Sequence, residues 1–153
     1  HPQLLAGVGH VSDPAQFAAA VAAGARFISS PGATPGLFAI ARLHPEVPFW
    51  PGVASLSEAM AAREAGFSRV KLLPARLAGG LPLVEALGRY LPGIQLIPSG
   101  DLSELDTTRY LAQPNVVAMG ADWIARHELL QRRDWAWIED KAAGAREDYG
   151  CTP

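Results

Sequence analysis

Arg69-Val70-Lys71-Leu72-Leu73-Pro74-Ala75 is the stretch on which the fold turns. It follows a helical pattern that closes on Gly66, and its apolar run has the length of one buried strand. Lys71 is one of two lysines in a chain with eleven arginines. An ammonium group in the middle of such a strand loses hydration, which favours the neutral amine. A neutral amine attacks carbonyl carbon, as lysines do in Schiff-base enzymes. The ordinary alternative is a lysine that snorkels from a strand end or pairs with a carboxylate. Alternation along the strand sets Arg69, Lys71 and Leu73 on one face and Val70 and Leu72 on the other.

Short apolar runs alternate with amphipathic stretches on both sides of this segment, at βα spacing. The pattern predicts strands over Leu4–Val8, Arg26–Ser29, Pro48–Trp50, Arg69–Pro74, Ile94–Ile97 and Val116–Met119. Helices are expected over Pro14–Ala23, Pro35–Leu43, Leu56–Ala65, Leu83–Tyr90, Leu102–Leu111, around Trp123–Leu130 and over Trp135–Ala145. Ser12 or Asp13 caps the first, and Ser55 and Glu58 stand at capping-box spacing before the third. Asp101-Leu102-Ser103-Glu104 has the same spacing, which makes Asp101 a candidate cap.

Six consecutive βα units imply an α/β fold with a parallel sheet and right-handed crossovers. No Gly-x-Gly-x-x-Gly turn follows the first strand, which counts against a dinucleotide-binding half. Small and polar residues gather where strands end, at Gly9-His10, Ser30-Pro31-Gly32, Pro51-Gly52, Pro74-Ala75, Ser99-Gly100 and Gly120-Ala121. A TIM (β/α)8 barrel carries its active-site loops there. The expectation is such a barrel over residues 1–146, with about six units present and the first two lacking, and a tail over 147–153. Since residue 1 is His1 and runs almost directly into strand-like sequence, the chain reads as beginning partway through a larger protein.

The 153 residues are 49% hydrophobic and 18% charged, with a net charge of −2, which suits one domain. The scattered arginines and near-neutral charge argue against nucleic-acid and acidic-membrane partners. No apolar run reaches the length of a membrane span and no signal-peptide pattern opens the chain. A single cysteine, Cys151, allows no internal disulfide and fits a reducing, cytoplasmic setting. His1, His10, His44 and His127 lack metal-ligand spacing, so neither a metal nor a cofactor is expected. Trp123, Trp135 and Trp137 are expected to pack the closing helices, and Trp50 to line the mouth.

These loops resemble the 2-keto-3-deoxy-6-phosphogluconate aldolase family, which includes 4-hydroxy-2-oxoglutarate aldolases. The family's Lys-Phe-Phe-Pro-Ala is similar to Lys71-Leu72-Leu73-Pro74-Ala75, followed by Gly79-Gly80. Its Ser-Pro-Gly-x-Thr turn is matched by Ser30-Pro31-Gly32-Ala33-Thr34, and its Pro-Gly by Pro51-Gly52 with Ser55 and Glu58 behind it. The resemblance covers about Leu5 to Ala145. It implies a metal-independent class I aldolase in which Lys71 forms an imine with pyruvate or a 2-keto-3-deoxy acid. Leu73 would be the apolar neighbour of the pyruvyl group where the family has an aromatic ring. Pro31, Gly32, Thr34, Pro51, Ser99, Gly100 and Gly120 would line the substrate site. A homo-oligomer, commonly a trimer, follows by the same analogy.

Three departures matter. The family's acid/base glutamate lies on the second strand of the full barrel, which is not in this sequence. Either upstream residues supply it, or the chain is a non-catalytic barrel that binds a 2-oxo acid or serves in an assembly. His10 replaces a threonine at a strand mouth, where an imidazole could carry protons or bind the carboxylate. The alternative for His10 is a locally hydrogen-bonded loop residue. The family's phosphate cup, a Gly-Gly and a Gly-Ser turn, here reads Ser99-Gly100-Asp101 and Gly120-Ala121-Asp122. Two carboxylates repel a phosphate dianion, so unphosphorylated substrates are expected, with Asp101 or Asp122 on distal hydroxyls. A deoxyribose-phosphate aldolase fits the paired Ser-Pro-Gly-x-Thr and Lys-x-x-Pro-Ala motifs poorly.

Overall fold

The computed structural model describes residues 5–149, so Leu4 and Cys151 lie outside the described residues. The elements are α1 (Pro14–Ala22), β1 (Ile28–Ser29), α2 (Pro35–Leu43), β2 (Phe49–Trp50), β3 (Gly52–Val53), α3 (Leu56–Glu64), β4 (Arg69–Leu72), α4 (Gly80–Tyr90), β5 (Gln95–Pro98), α5 (Glu104–Leu111), α6 (His127–Arg132) and α7 (Trp135–Tyr149). Side-chain oxygens start the first three helices. Asp13 accepts from the Gln16 N–H, Thr34 from Leu37 and Ser55 from Glu58, each satisfying a backbone donor with no partner inside its helix.

The strands lie parallel and in sequence order. Val8 bridges Ile28, β1 pairs with β2, β3 with β4 and β4 with β5, and Leu96 bridges Val116. β2 and β3 are one run interrupted at Pro51, whose nitrogen has no proton to give a neighbour. Its carbonyl still accepts from the Lys71 N–H at 2.9 Å, and the Trp50 carbonyl accepts from Ser30 at 3.3 Å. Six chain segments thus form an arc of a TIM-type barrel. The predicted first and sixth strands shrink to single bridges at Val8 and Val116, because each borders the arc and pairs on one side only among the described residues.

The core lies between the arc and its helices. Ile28, Phe49, Val53, Val70, Leu72 and Leu96 pack against Phe17, Leu37, Ala59, Val84 and Leu87. Phe49 meets Phe17 and Phe67 edge-on, with centroids 5.4 and 5.5 Å away. Each large apolar side chain so buried contributes about 1.5–3 kcal/mol.

Helix predictions need four corrections. α4 starts at Gly80 instead of Leu83, and α5 at Glu104 instead of Leu102. Helical structure near Trp123 begins only at His127. α7 runs to Tyr149, past the expected end at Ala145. It meets α5 through Lys141, whose ammonium is 3.1 Å from Glu104 and 5.7 Å from the centre of the Trp137 ring. Trp123 is buried as expected, but Trp135 is 57% exposed, since α7 presents no buried residue to the core.

Candidate active site

Lys71 sits in the centre of β4, its Cα paired with Gly52 on one side and Ile97 on the other. Val70 and Leu72 are fully buried on the helix side, so strand parity turns Lys71 to the concave face, half-buried. One layer below, Arg69 donates through Nε to Gln95 Oε1. One layer above, a Cβ on Gly100 would stand 2.9 Å from Leu73 Cδ1, so Leu73 packs directly on that glycine.

The mouth loops are laced to the Lys71 strand by backbone. Leu73 N–H donates to Val53, Ala75 N–H to Ser99 at 2.7 Å, and Ser99 N–H back to Leu72. The Ser30 hydroxyl accepts from the Gly52 N–H at 3.2 Å. A Cβ at Gly52 would lie 2.3 Å from the Pro31 carbonyl, so the Ser30-Pro31-Gly32 turn requires glycine opposite it. Gly120 meets the Ser99 hydroxyl with the same closeness. Pro31 and Gly32 stand exposed at the rim, while Pro51 is buried with its carbonyl on Lys71. Thr34 uses its hydroxyl to cap α2. His10 is exposed in the left-handed region, at φ 58°, after the first strand.

Asp101 does not cap a helix. It takes φ 56° directly after Gly100 at φ 90°, and α5 begins three residues later with Ser103 as its cap. The Asp106 carboxylate accepts from the Ser103 N–H at 2.8 Å and from its hydroxyl at 2.7 Å. The Ser103 backbone N–H, then its hydroxyl, then Arg76 and Arg109 hold the Asp106 carboxyl below its ordinary value, against slight burial.

The two predicted aspartates do meet. Asp101 and Asp122 line a cleft of about 320 Å³ with Leu102, Ser103, Trp123 and Arg126. Arg126 escaped the sequence reading, although it follows Asp122 by four residues, and Trp123 was expected only to pack the closing helices. Two carboxylates and one guanidinium leave the cleft one net negative charge. Trp123 Nε1 is buried and has no hydrogen-bond partner among the described residues. Arg76 was also missed: directly after Pro74-Ala75, it donates to the Asp101 carbonyl and to Asp106.

Trp50 needs a correction. Its ring stacks on Phe27 at 4.4 Å and lines a cleft of about 250 Å³ with Phe67, Arg69 and Gln95, where strands begin. It precedes the mouth turn by one layer of the arc and therefore faces the opposite end. The larger cleft of about 570 Å³, lined by Glu85, Arg89 and Asn115 among others, also lies at that opposite end, away from Lys71.

An arc of parallel βα units, with a half-buried lysine on its concave face and polar loops at the strand C-termini, defines a TIM-type barrel whose candidate site is at that mouth. The model of the KDPG and KHG aldolase family matches residues 1–141, and the chain belongs to that family. It is 42% identical to 2-dehydro-3-deoxy-phosphogluconate aldolase of Pseudomonas aeruginosa, over 97% of this chain and 67% of that protein. It is 31% identical to KHG/KDPG aldolase of Escherichia coli, over 95% and 68%. Among solved structures, KDPG aldolase from Legionella pneumophila, with pyruvate captured at low pH as a covalent carbinolamine, superposes with a TM-score of 0.87. It shares 38% identity, over 92% of this chain and 68% of that one. The chain therefore spans about two thirds of the length of these relatives. No helix among the described residues is long and apolar enough to cross a membrane.

Proposed function

We propose that this chain carries the imine-forming part of a class I aldolase, which cleaves an unphosphorylated 2-keto-3-deoxy or 4-hydroxy-2-oxo acid to pyruvate and an aldehyde. The observation that carries this reading is Lys71 on the concave face, between Gly52 and Ile97 and one layer below Leu73. Glycine on one side leaves room for a keto acid against the amine. Leu73 and Ile97 are its apolar neighbours on the concave face, where the pyruvyl group would lie.

Lys71 Nζ attacks the C2 carbonyl carbon to give a carbinolamine, and loss of water leaves a protonated imine. A base takes the proton of the C4 hydroxyl, the C3–C4 bond breaks, and its electron pair moves into the imine to form an enamine. C4 departs as the carbonyl carbon of the aldehyde. Protonation at C3 and hydrolysis then release pyruvate and free Lys71. By the family resemblance the base is the glutamate of the second barrel strand, with His10 a candidate proton carrier. Pro31, Gly32, Pro51 and the Ser99-Gly100 turn are assigned to the pyruvyl end and its walls. Thr34 is retained there as a rim residue.

The distal end is assigned to the cleft of Asp101, Asp122 and Arg126. Its net negative charge opposes a phosphate dianion; a unit charge pair at 4 Å is worth about 4 kcal/mol at an effective dielectric of 20. Hydroxyl groups can instead donate to the carboxylates and accept from Arg126. A cytoplasmic homotrimer is the compartment and assembly this reading implies.

The test is to incubate the intact protein with pyruvate and borohydride, digest it and locate the adduct by mass spectrometry. A reduced adduct on Lys71 is expected. Absence of any adduct would favour an inactive 2-oxo-acid-binding or assembly barrel. For the distal end, kcat/KM for free and phosphorylated 2-keto-3-deoxygluconate should favour the free acid.

A further inference from the structure

Arg76 joins the loop after β4 to the loop before α5. It follows Ala75, whose N–H is bonded to the Ser99 carbonyl, and it is itself exposed. Its Nε donates to the Asp101 carbonyl and its Nη2 to Asp106 Oδ2 at 2.6 Å. The same oxygen accepts from the Ser103 N–H and hydroxyl. One guanidinium therefore grips the loop before α5 at one end and the first turn of α5 at the other. A planar fork with several fixed donors can hold both acceptors together, which a lysine ammonium on a flexible stem reproduces poorly.

The loop so gripped needs a fixed geometry. Gly100 and Asp101 are successive left-handed residues at φ 90° and 56°, a conformation that non-glycine residues seldom adopt without support. Gly100 carries Leu73 on one side, while Asp101 and Ser103 line the distal cleft on the other. An exposed ion pair contributes little to stability, so the consequence of this one falls on loop position.

We propose that Arg76 is a positioning residue for the non-pyruvyl end of the substrate: it clamps residues 100–103 onto the Lys71 strand and so sets the distance from the amine to the distal cleft. This role rests on the aldolase reading above, and it adds a residue that touches neither the reacting carbon nor the imine.

The test compares wild type, Arg76→Ala, Arg76→Lys and Asp106→Asn in the intact protein. One readout is the pyruvate concentration that half-saturates borohydride trapping at Lys71, which uses only the pyruvyl end. The other is KM and kcat for cleavage of 2-keto-3-deoxygluconate. Arg76→Ala should raise KM by about 10- to 100-fold, the cost of roughly an ångström of misplacement, with pyruvate trapping unmoved. Arg76→Lys should recover only part of the loss, and Asp106→Asn, which keeps the bond to Asp101, should lose less than Arg76→Ala. An unmoved KM overturns the proposal. So does a parallel rise in half-saturating pyruvate, which would mean general loosening. If Arg76→Ala does not fold, the KM values of Arg76→Lys and Asp106→Asn decide by the same criterion. Wild type that traps no pyruvate overturns the aldolase reading and this proposal together; wild type that traps it, with unmoved KM in the variants, overturns this proposal alone.

Discussion

The two ends of the candidate site are held by different forces. Around Lys71, backbone hydrogen bonds do the holding: Lys71, Leu73 and Ala75 donate in turn to Pro51, Val53 and Ser99. At the distal end a side chain does it: the Arg76 guanidinium binds the Asp101 carbonyl and the Asp106 carboxylate, beside a cleft lined by Asp101, Asp122 and Arg126. A ladder tolerates changes of side chain because every residue but proline supplies the same donor and acceptor. A charged cleft changes its preference with one substitution and leaves the fold alone. Chemistry can therefore be retained at one end while specificity drifts at the other.

The largest effect should come from the amine itself. Lys71→Arg keeps a cation but removes the nucleophile, and kcat/KM should fall by about four orders of magnitude or more, as for nucleophile loss in other covalent mechanisms. Retained activity in a steady-state assay would break the comparison at its stronger end. Next, Leu72→Ala opens a cavity in the fully buried helix-side core and should cost about 2–5 kcal/mol in urea unfolding. Leu73→Ala, on the concave face, should cost less. Gly52→Ala drives a Cβ against the Pro31 backbone and should destabilise by about 1–3 kcal/mol, read by the same unfolding curve.

The distal end is sharpened by swapping its charges. Asp101→Gly with Asp122→Ser removes both carboxylates, and the kcat/KM ratio of phosphorylated to free substrate should rise about tenfold or more, or about 1.4 kcal/mol. An unchanged ratio would mean that the cleft does not meet the substrate. The smallest effect is in acid. Asp106 has its folded value lowered below 3.8, so its network stabilises fully above that value and is lost as pH falls through the folded one. Thermal melts from pH 5 to pH 2 should show a loss that Asp106→Asn lacks.

Much of the barrel was legible because its signals are local. Proline and cap residues opened α1, α2 and α3 where expected, and Val70 and Leu72 alternate with Lys71 as a two-faced strand must. Asp101 shows where local signals mislead. Its spacing to Glu104 imitates a capping box, but Asp106 reaches back to Ser103 and takes that role, leaving Asp101 to turn the chain. Trp50 and Trp135 were misjudged because an aromatic ring has no period of its own; its neighbours are set by the layer and helix face on which it lands.

The order of elements, the parity that turns Lys71 inward and the motif around it were determined by the sequence alone, since all three depend on neighbours within a few residues. Beyond its two expected aspartates, the distal cleft was decided by tertiary structure. Arg76 and Asp106 are thirty residues apart, and Asp101 and Arg126 come to line one cleft only where two loops converge at the mouth. Charges brought together by the closing of an arc leave no periodic trace along the chain. Their pairing depends on distance in space, to which spacing in sequence is blind.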